Sequence, residues 1–506
     1  MRPIEALTLL ANLLAFAGLV LPLPPAMRWM RHTMPVALLV AAAQILAEGQ
    51  RWQMIPAYAL TGLFFLIWLR RAAATGRRHP LQGRTQQRIH RLAVGTTVGL
   101  GALALLASIA LPNVFPIFGF PHPTGPYAIG TLTYHWIDAS RSEAFGAHPQ
   151  DRRELMVQIW YPAAAGSSSR RAPYMQDADA VTSAFARIHH LPAFVFRHFK
   201  YITTNAAPSA PVAGARAEYP VLLFLEGVTG FRQMNTYQVE ELASHGYVVA
   251  AIDQPGAAAA IVFPDGRQVA GMTLAQVHAS IDSSYMPDPS APRQIGRVPT
   301  GIELIRYFAQ DAVFALDQLA ALNQSDPNRI LSGKLDLRHA GAFGVSLGGI
   351  VVAQACRLEP RLRACLMMDA PMPVDVVISG LQQPSMWITR NAEDMRLERQ
   401  QAGGWSETEI LAHHTSMRAV YQSLPGAGYF VQVPGMFHAN FTDVPAWSPW
   451  TTQMQLAGLI DGHRAHDIVN AYSLAFFDKH LSDQKAGQLD VPAALYPEVH
   501  FESRRP

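Results

Sequence analysis

The stretch Gly344-Val345-Ser346-Leu347-Gly348-Gly349 constrains this chain most, because an apolar run (340–343) leads into it and a second one (350–356) leaves it. That pattern reads as strand, tight turn and helix. A serine at such a turn is held in strained backbone that lifts its hydroxyl clear of the sheet, and the flanking glycines let strand and helix pass without Cβ clashes. The free N–H groups at the helix start then face any negative charge that develops beside the serine. The pentapeptide alone is a modest constraint, since at ordinary glycine abundance it arises by chance in roughly one such chain in six or seven. The rest of the chain must therefore supply a base, an acid and an oxyanion hole.

The 506 residues are enough for two or three domains, and half of them are hydrophobic. The apolar excess lies before about residue 115, in runs at 6–23, 34–47, 54–69 and 92–115. The outer two are long enough to span a bilayer as helices, and the middle two need their flanks or local thinning. About four spans are expected, since no small-residue cleavage site ends the first run. Between the third and fourth lie Arg70, Arg71, Arg77, Arg78, Arg84, Arg88 and Arg91 with no acid among them, which assigns that loop to the cytoplasm and the following domain to the other side. Arg28 and Arg31 agree with this alternation, whereas Arg2 opposes it. No charge sits mid-span, so the segment reads as an anchor rather than a transport path. Gly95 and Gly99 make a small-xxx-small pair expected at a helix contact. The net charge of +3 carries no nucleic-acid signal, because the arginines cluster between hydrophobic spans. The only cysteines, Cys356 and Cys365, exclude a disulfide framework. One bond between them is conceivable, and the preferred reading is two buried small apolar residues.

After a Pro/Gly-bearing linker, strands are expected at 127–136, 155–161, 221–225 and 247–253, with a helix at 234–244 between the last two. The stretch 163–219 lies between strands and holds Phe185, Leu191, Phe194, Phe196 and Phe199, which reads as an inserted cap. A second insertion, 256–300, precedes a long helix at 302–322. Loops of this length are functional covers or disordered, and covers over a lipid-like or acyl pocket are the preferred reading. Strands at 363–368, 385–389 and 429–433 and helices at 407–423 and 467–480 complete an α/β-hydrolase pattern, with the serine after the fifth core strand.

A serine hydroxyl needs a histidine to take its proton and a carboxylate to hold that histidine. In this fold the order is serine, acid, histidine. His413 and His414 on a polar helix, and His463, His466 and His480 near the last one, read as surface residues. His438 differs, because its loop follows the last predicted strand, where the base must emerge. For the acid, Asp394 (with Glu393) follows the strand ending at Thr389, while Asp369 ends the strand before it, directly after three apolar residues. Burial there requires a partner, and the residues alone leave both open. The oxyanion donors are assigned to the backbone of Leu347 and of Val228, in the loop Glu226-Gly227-Val228-Thr229-Gly230.

Several ordered blocks resemble the secreted-type platelet-activating factor acetylhydrolases: 157–162 (VQIWYP), 219–253, the elbow, 366–371, 438–443 (HANFTD) and 460–481. The resemblance runs over 127–481 and implies Asp369 as the acid, His438 as the base and metal-independent hydrolysis of short or oxidised acyl chains from phospholipids. Where that family carries histidine before the oxyanion glycine, this chain has Glu226, and a carboxylate there is unfavourable unless paired or turned away.

The expected organisation is a membrane helical segment (1–115), a linker (116–126) and an α/β-hydrolase domain (127–506) with insertions near 163–218 and 256–300. The expected activity is serine ester hydrolysis by Ser346, His438 and Asp369, with no metal or organic cofactor and no nucleic acid, on a small-molecule or lipid ester. The oligomeric state is not encoded legibly. The alternatives are a general carboxylesterase or polyester hydrolase, and a catalytically silent membrane-anchored binding module, which a fluorophosphonate probe would fail to label.

Overall fold

The structure, a computed structural model, describes residues 1–73, 84–146, 148–166, 170–482, 489 and 496–504. It divides into two compact units, Met1–Phe118 with Trp447–Trp450, and Gly119–Ala446 with Thr451–Pro506.

The first unit is helical: α1 (Pro3–Val20), α2 (Thr33–Glu48), α3 (Ile55–Ala73) and α4 (Arg84–Val114). Three helical segments, Pro3–Val20, Trp52–Ala73 and Gly95–Val114, are long and apolar enough to cross a membrane, and α2 is shorter. Four charged side chains of this unit, Arg2, Glu5, Glu48 and Arg51, form one cluster. Glu5 is buried between Arg2 and Arg51, with Arg51 Nε 2.7 Å from Glu5 Oε1, and Arg51 Nη1 also donates to Phe115 O at 2.8 Å. Several polar groups within the bundle are paired: Asn12 donates to Ala57 O and accepts from Thr61, and Tyr58 donates to Gln44. The expected glycine contact lies elsewhere than predicted. A Cβ on Gly95 or Gly99 would meet nothing within 4 Å, whereas one on Gly101 would lie 2.7 Å from the Phe16 ring. Of the arginines used for orientation, Arg77 and Arg78 lie outside the described residues.

The second unit is built on a ten-stranded sheet: β1 (Ala128–Ser142), β2 (Arg152–Ala163), β3 (Ala207–Pro208), β4 (Tyr219–Leu225), β5 (Val248–Asp253), β6 (Leu335–Val345), β7 (Leu362–Met368), β8 (Ser385–Thr389), β9 (Gly428–Gln432) and β10 (His500–Arg504). Their order is β10-β9-β8-β7-β6-β4-β5-β2-β1-β3. From β9 through β5 all neighbours run parallel. The central strands are largely apolar; all seven residues of β4 and all six of β5, the terminal Asp253 included, are buried. That is what a parallel strand covered on both faces requires. Helices α5 (Ala178–Ile188), α6 (Thr236–Ser244), α7 (Gly301–Gln324), α8 (Leu347–Leu358), α9 (Ala392–Ala402), α10 (Glu407–Ser423) and α11 (Gly462–Leu481) lie around it. The sheet's two faces carry separate hydrophobic cores, one involving α7, α8 and α10 and the other α6 and α11. This is the α/β-hydrolase architecture, and Ser346 follows the fifth strand once the two-residue β3 is set aside.

Three expectations are corrected. Cys356 at the end of α8 and Cys365 in β7 are joined in a disulfide, so they are not two separate buried apolar residues; α8 returns directly into β7 and brings their Cα atoms to 6.6 Å. Asp394 lies in the first turn of α9, an additional helix that Asn391 caps through its side chain. The closing helix is followed by β10, which pairs antiparallel with β9.

Candidate active site

Parallel register fixes the site. Val345 pairs with Met368, so the residues that follow, Ser346 and Asp369, leave adjacent strand ends together. Ser346 N donates to Met368 O and Asp369 N to Ile388 O, both at 2.9 Å. Each then turns sharply: Ser346 has φ 56° and Asp369 φ 44°. Positive φ in a non-glycine residue is costly and persists only where the surroundings over-determine it. The glycines explain how the turn packs. A Cβ on Gly348 would fall 1.9 Å from Leu225 O, and one on Gly227 would lie 3.3 Å from Ser346 Cβ. Only glycine lets the elbow close against the end of β4.

Asp369 is wholly buried, and its Oδ2 lies 2.6 Å from Nδ1 of the one-third exposed His438. Burial alone would raise the Asp369 carboxyl. The Arg390 guanidinium, assisted by His413 and His438, holds it well below the usual range instead. It is therefore ionised and fixes the His438 tautomer, with the proton on Nδ1 and the lone pair on Nε2. Ser346 is half-buried, and its Oγ takes no hydrogen-bond partner among the described residues. Bonds of this kind often tighten only when substrate binds.

Asp394, the rival acid, has a different task. Its Oδ2 accepts from Gly435 N at 2.8 Å and so props the His438 loop. Three further bonds bolt that loop to the segment after Gly230: Asn235 Nδ2 donates to Phe441 O at 2.7 Å, and Asp443 accepts from the N–H groups of Thr236 and Tyr237 at the start of α6. The conspicuous 438–443 block thus joins the base to the α6 N-terminus, where an acceptor is favoured.

In the oxyanion loop, Leu347 opens α8, so its N–H has no intrahelical acceptor. Val228 N–H has none among the described residues, while Thr229 N and Gly230 N are bonded to Ala257 O and Gly227 O. Glu226 just before it is entirely buried; Gln254 N donates to its Oε1 at 3.1 Å, and Oε2 has no partner. Burial, then the charge of Asp253, push Glu226 well above the usual carboxyl range. Asp253 has the Arg232 guanidinium beside it, so of the two Glu226 is the one that keeps a proton. The carboxyl before Gly227 is thus biased toward its neutral form.

Sequence reasoning misplaced His413 and His466, which are buried rather than on the surface. His413 stands 3.5 Å from Asp369 Oδ1, and His466 bonds Thr442 O at 2.9 Å. A signal for His413 existed: Ile410, His413, Met417 and Val420 recur at helical spacing and form the buried stripe of α10. Arg390 and Trp405, also missed, surround the same acid.

The first insertion forms an aromatic wall beside the oxyanion loop. Tyr174 and Phe185 stand edge-on to Phe231 at 6.0 and 6.4 Å, and Phe196 joins Phe185 and Phe199. In the second, His278, Asp282 and, from α10, Glu409 bring ligand-capable atoms within 4.8 Å of one another. All have local protein partners: Asp282 takes His278 and Tyr285, and Glu409 caps α10 at Ser406.

The profile of the family described as platelet-activating factor acetylhydrolase, isoform II matches residues 114–271 and 317–493. The platelet-activating factor acetylhydrolase of Gallus gallus is 22% identical over 390 residues, covering 72% of this chain and 84% of that protein. That of Cavia porcellus is 27% identical over 382 residues, covering 72% and 78%. A probable 1-alkyl-2-acetylglycerophosphocholine esterase of Arthroderma benhamiae is 23% identical, with 79% and 97% covered. Among solved structures, a ferulic acid esterase from Streptomyces cinnamoneus superposes with a TM-score of 0.58 at 25% identity, covering 76% of this chain and 99% of its own. With a family match over well over half its length, and an esterase fold beneath it, the chain belongs to the platelet-activating factor acetylhydrolase family and is a carboxylic ester hydrolase.

Proposed function

We propose that this is a membrane-anchored serine esterase that removes short or oxidised acyl groups from phospholipids by a Ser-His-Asp mechanism. The observation that carries it is the 2.6 Å contact between buried Asp369 and His438, on the strand end next to the one that bears Ser346. Ser346 Oγ attacks the ester carbonyl while His438 Nε2 takes its proton. The tetrahedral oxyanion lies against the N–H groups of Leu347 and Val228. His438 then passes the proton to the leaving alcohol, and the acyl group remains on Ser346. Water, deprotonated by the same histidine, attacks the acyl-enzyme and releases the acid. None of these steps calls on a metal or an organic cofactor.

The substrate class is supported by the named activities of the relatives. A broader carboxylesterase is the second reading, favoured by the ferulic acid esterase likeness. Initial rates on acetylated phospholipids and on soluble short-chain esters separate the two.

The anchor comprises residues 1–115, with α2 as a fourth, short span, a linker at 116–126 and the hydrolase domain at 127–506. The domain faces away from the cytoplasm. The arginine-rich stretch 70–91 supports this, and so does the disulfide, since such bonds persist in oxidising compartments.

Ser346→Ala tests the mechanism. Ester hydrolysis falls by about 10⁴-fold or more with an unaltered thermal midpoint. Retained activity in a folded variant sinks the assignment.

A further inference from the structure

Asp369 has more partners than a histidine-orienting carboxylate needs. His438 Nδ1 is hydrogen-bonded to its Oδ2 at 2.6 Å, and Arg390 Nε stands 2.9 Å from the same oxygen as an ion pair rather than in hydrogen-bond geometry. Thr389 Oγ1 and His413 Nε2 approach Oδ1, at 3.2 and 3.5 Å. Arg390 and His413 have side-chain exposures of 1% and 0%, so neither contact is weakened by solvent.

Arg390 is itself held on every side. It directly follows β8, its guanidinium is ion-paired with Glu398 of α9, and it lies 5.1 Å from the Trp405 ring. The same indole stands 4.7 Å from His413 and 5.5 Å from His438. Glu398 also accepts from the backbone N–H of His438 at 3.3 Å. Arginine, glutamate and indole thus tie β8, α9 and the base loop around one carboxylate oxygen.

Resting on the Ser-His-Asp reading above, we propose that Arg390 is a positioning residue for the Asp369–His438 pair, orienting the carboxylate and offsetting part of its charge. A guanidinium on the oxygen that faces the imidazole stabilises the carboxylate but weakens its hold on an imidazolium. The charged and titratable groups around Asp369 are His438 from its loop, Arg390 from the end of β8 and His413 from α10. Burial lowers His413 and so disfavours its charged form, which leaves the Arg390 guanidinium as the principal cation beside the carboxylate. Arg390 in turn faces Glu398 and Asp394 of α9.

The test is the pH profile of kcat/KM on a soluble short-chain ester for full-length protein carrying Arg390→Gln or Arg390→Lys. The glutamine keeps a donor without charge, so the acidic limb moves to higher pH, by about half a unit or more. The lysine keeps charge but loses the planar fork, so its limb stays in place while the rate falls by up to about 10²-fold. An acidic limb that stays at the wild-type pH in Arg390→Gln overturns the proposal. A double-mutant cycle with Asp369→Asn supplies a second measurement, usable with the lysine variant alone if the glutamine variant fails to fold. Losses that do not multiply support action through Asp369, and losses that multiply fully overturn it. Failure of the underlying reading shows separately, as activity retained by Ser346→Ala.

Discussion

Glu226 shows how a residue that looks wrong for the chemistry can be made compatible with it. An ionised carboxylate beside Gly227 and Val228 would oppose the oxyanion, but this one is wholly buried, has no cation of its own and stands near Asp253. Burial and the nearby Asp253 charge both push its carboxyl toward the protonated form. The sign follows from a raised pKa: the favourable neutral form is complete below the ordinary carboxyl range and is lost as pH rises through the elevated value. Wild-type kcat/KM should accordingly fall on the alkaline side, and Glu226→Gln, which cannot ionise, should retain the activity that wild type loses there. Superimposable alkaline limbs would show that Glu226 does not titrate against the oxyanion. The same scale shows the limits of reading residues singly. The candidates Ser346 and His438 stood out in a turn and a loop; for the carboxylate the local pattern left Asp369 and Asp394 open, because each follows a strand, and the family resemblance pointed to Asp369. Arg390 and Trp405 carried no local pattern at all.

At the scale of elements, the site is a consequence of strand register. Ser346 and Asp369 leave β6 and β7 together because Val345 pairs with Met368, and β7 in turn is tied to α8 by the Cys356–Cys365 bond. That bond closes a loop of about ten residues, worth about 2.5 kcal/mol in the chain-entropy account. Cys356→Ala with Cys365→Ala should lower the unfolding free energy by about that amount, measured by urea denaturation, and should weaken the α8–β7 support beneath both residues. An unaltered denaturation midpoint would mean that the bond does not constrain the folded domain. Most strands and helices were readable from their periodicity: 385–389 and 407–423 coincide with β8 and α10. Helix α9 was not, since its largely charged sequence has Met395 as its only buried residue and leaves no apolar stripe to read.

For the whole molecule, the question is where a hydrolase unit sits when it is joined to a bundle of apolar helices. In the helical unit, the buried Glu5–Arg51 pair and the Arg51 bond to Phe115 O gather charge at the end from which the chain leaves α4. Arg70 and Arg71 in the last turn of α3 and Arg84 at the start of α4 lie at the opposite ends of those helices. Protease added to intact cells should therefore cleave the hydrolase unit. A domain protected until lysis would overturn the outward orientation.

Sequence by itself determined the classes of element and the two kinds of unit, because hydrophobic period and run length act locally: long apolar runs make membrane-length helices, and short ones between turns make buried strands. It also determined the elbow, since a glycine-flanked serine between a strand and a helix has few other conformations. Only the tertiary structure decided that Cys356 meets Cys365, and that Arg390 and His413 stand against Asp369 with the Trp405 ring beside both. Those contacts join strand ends, helices and loops far apart in the chain, and their existence depends on register and packing that no local pattern records.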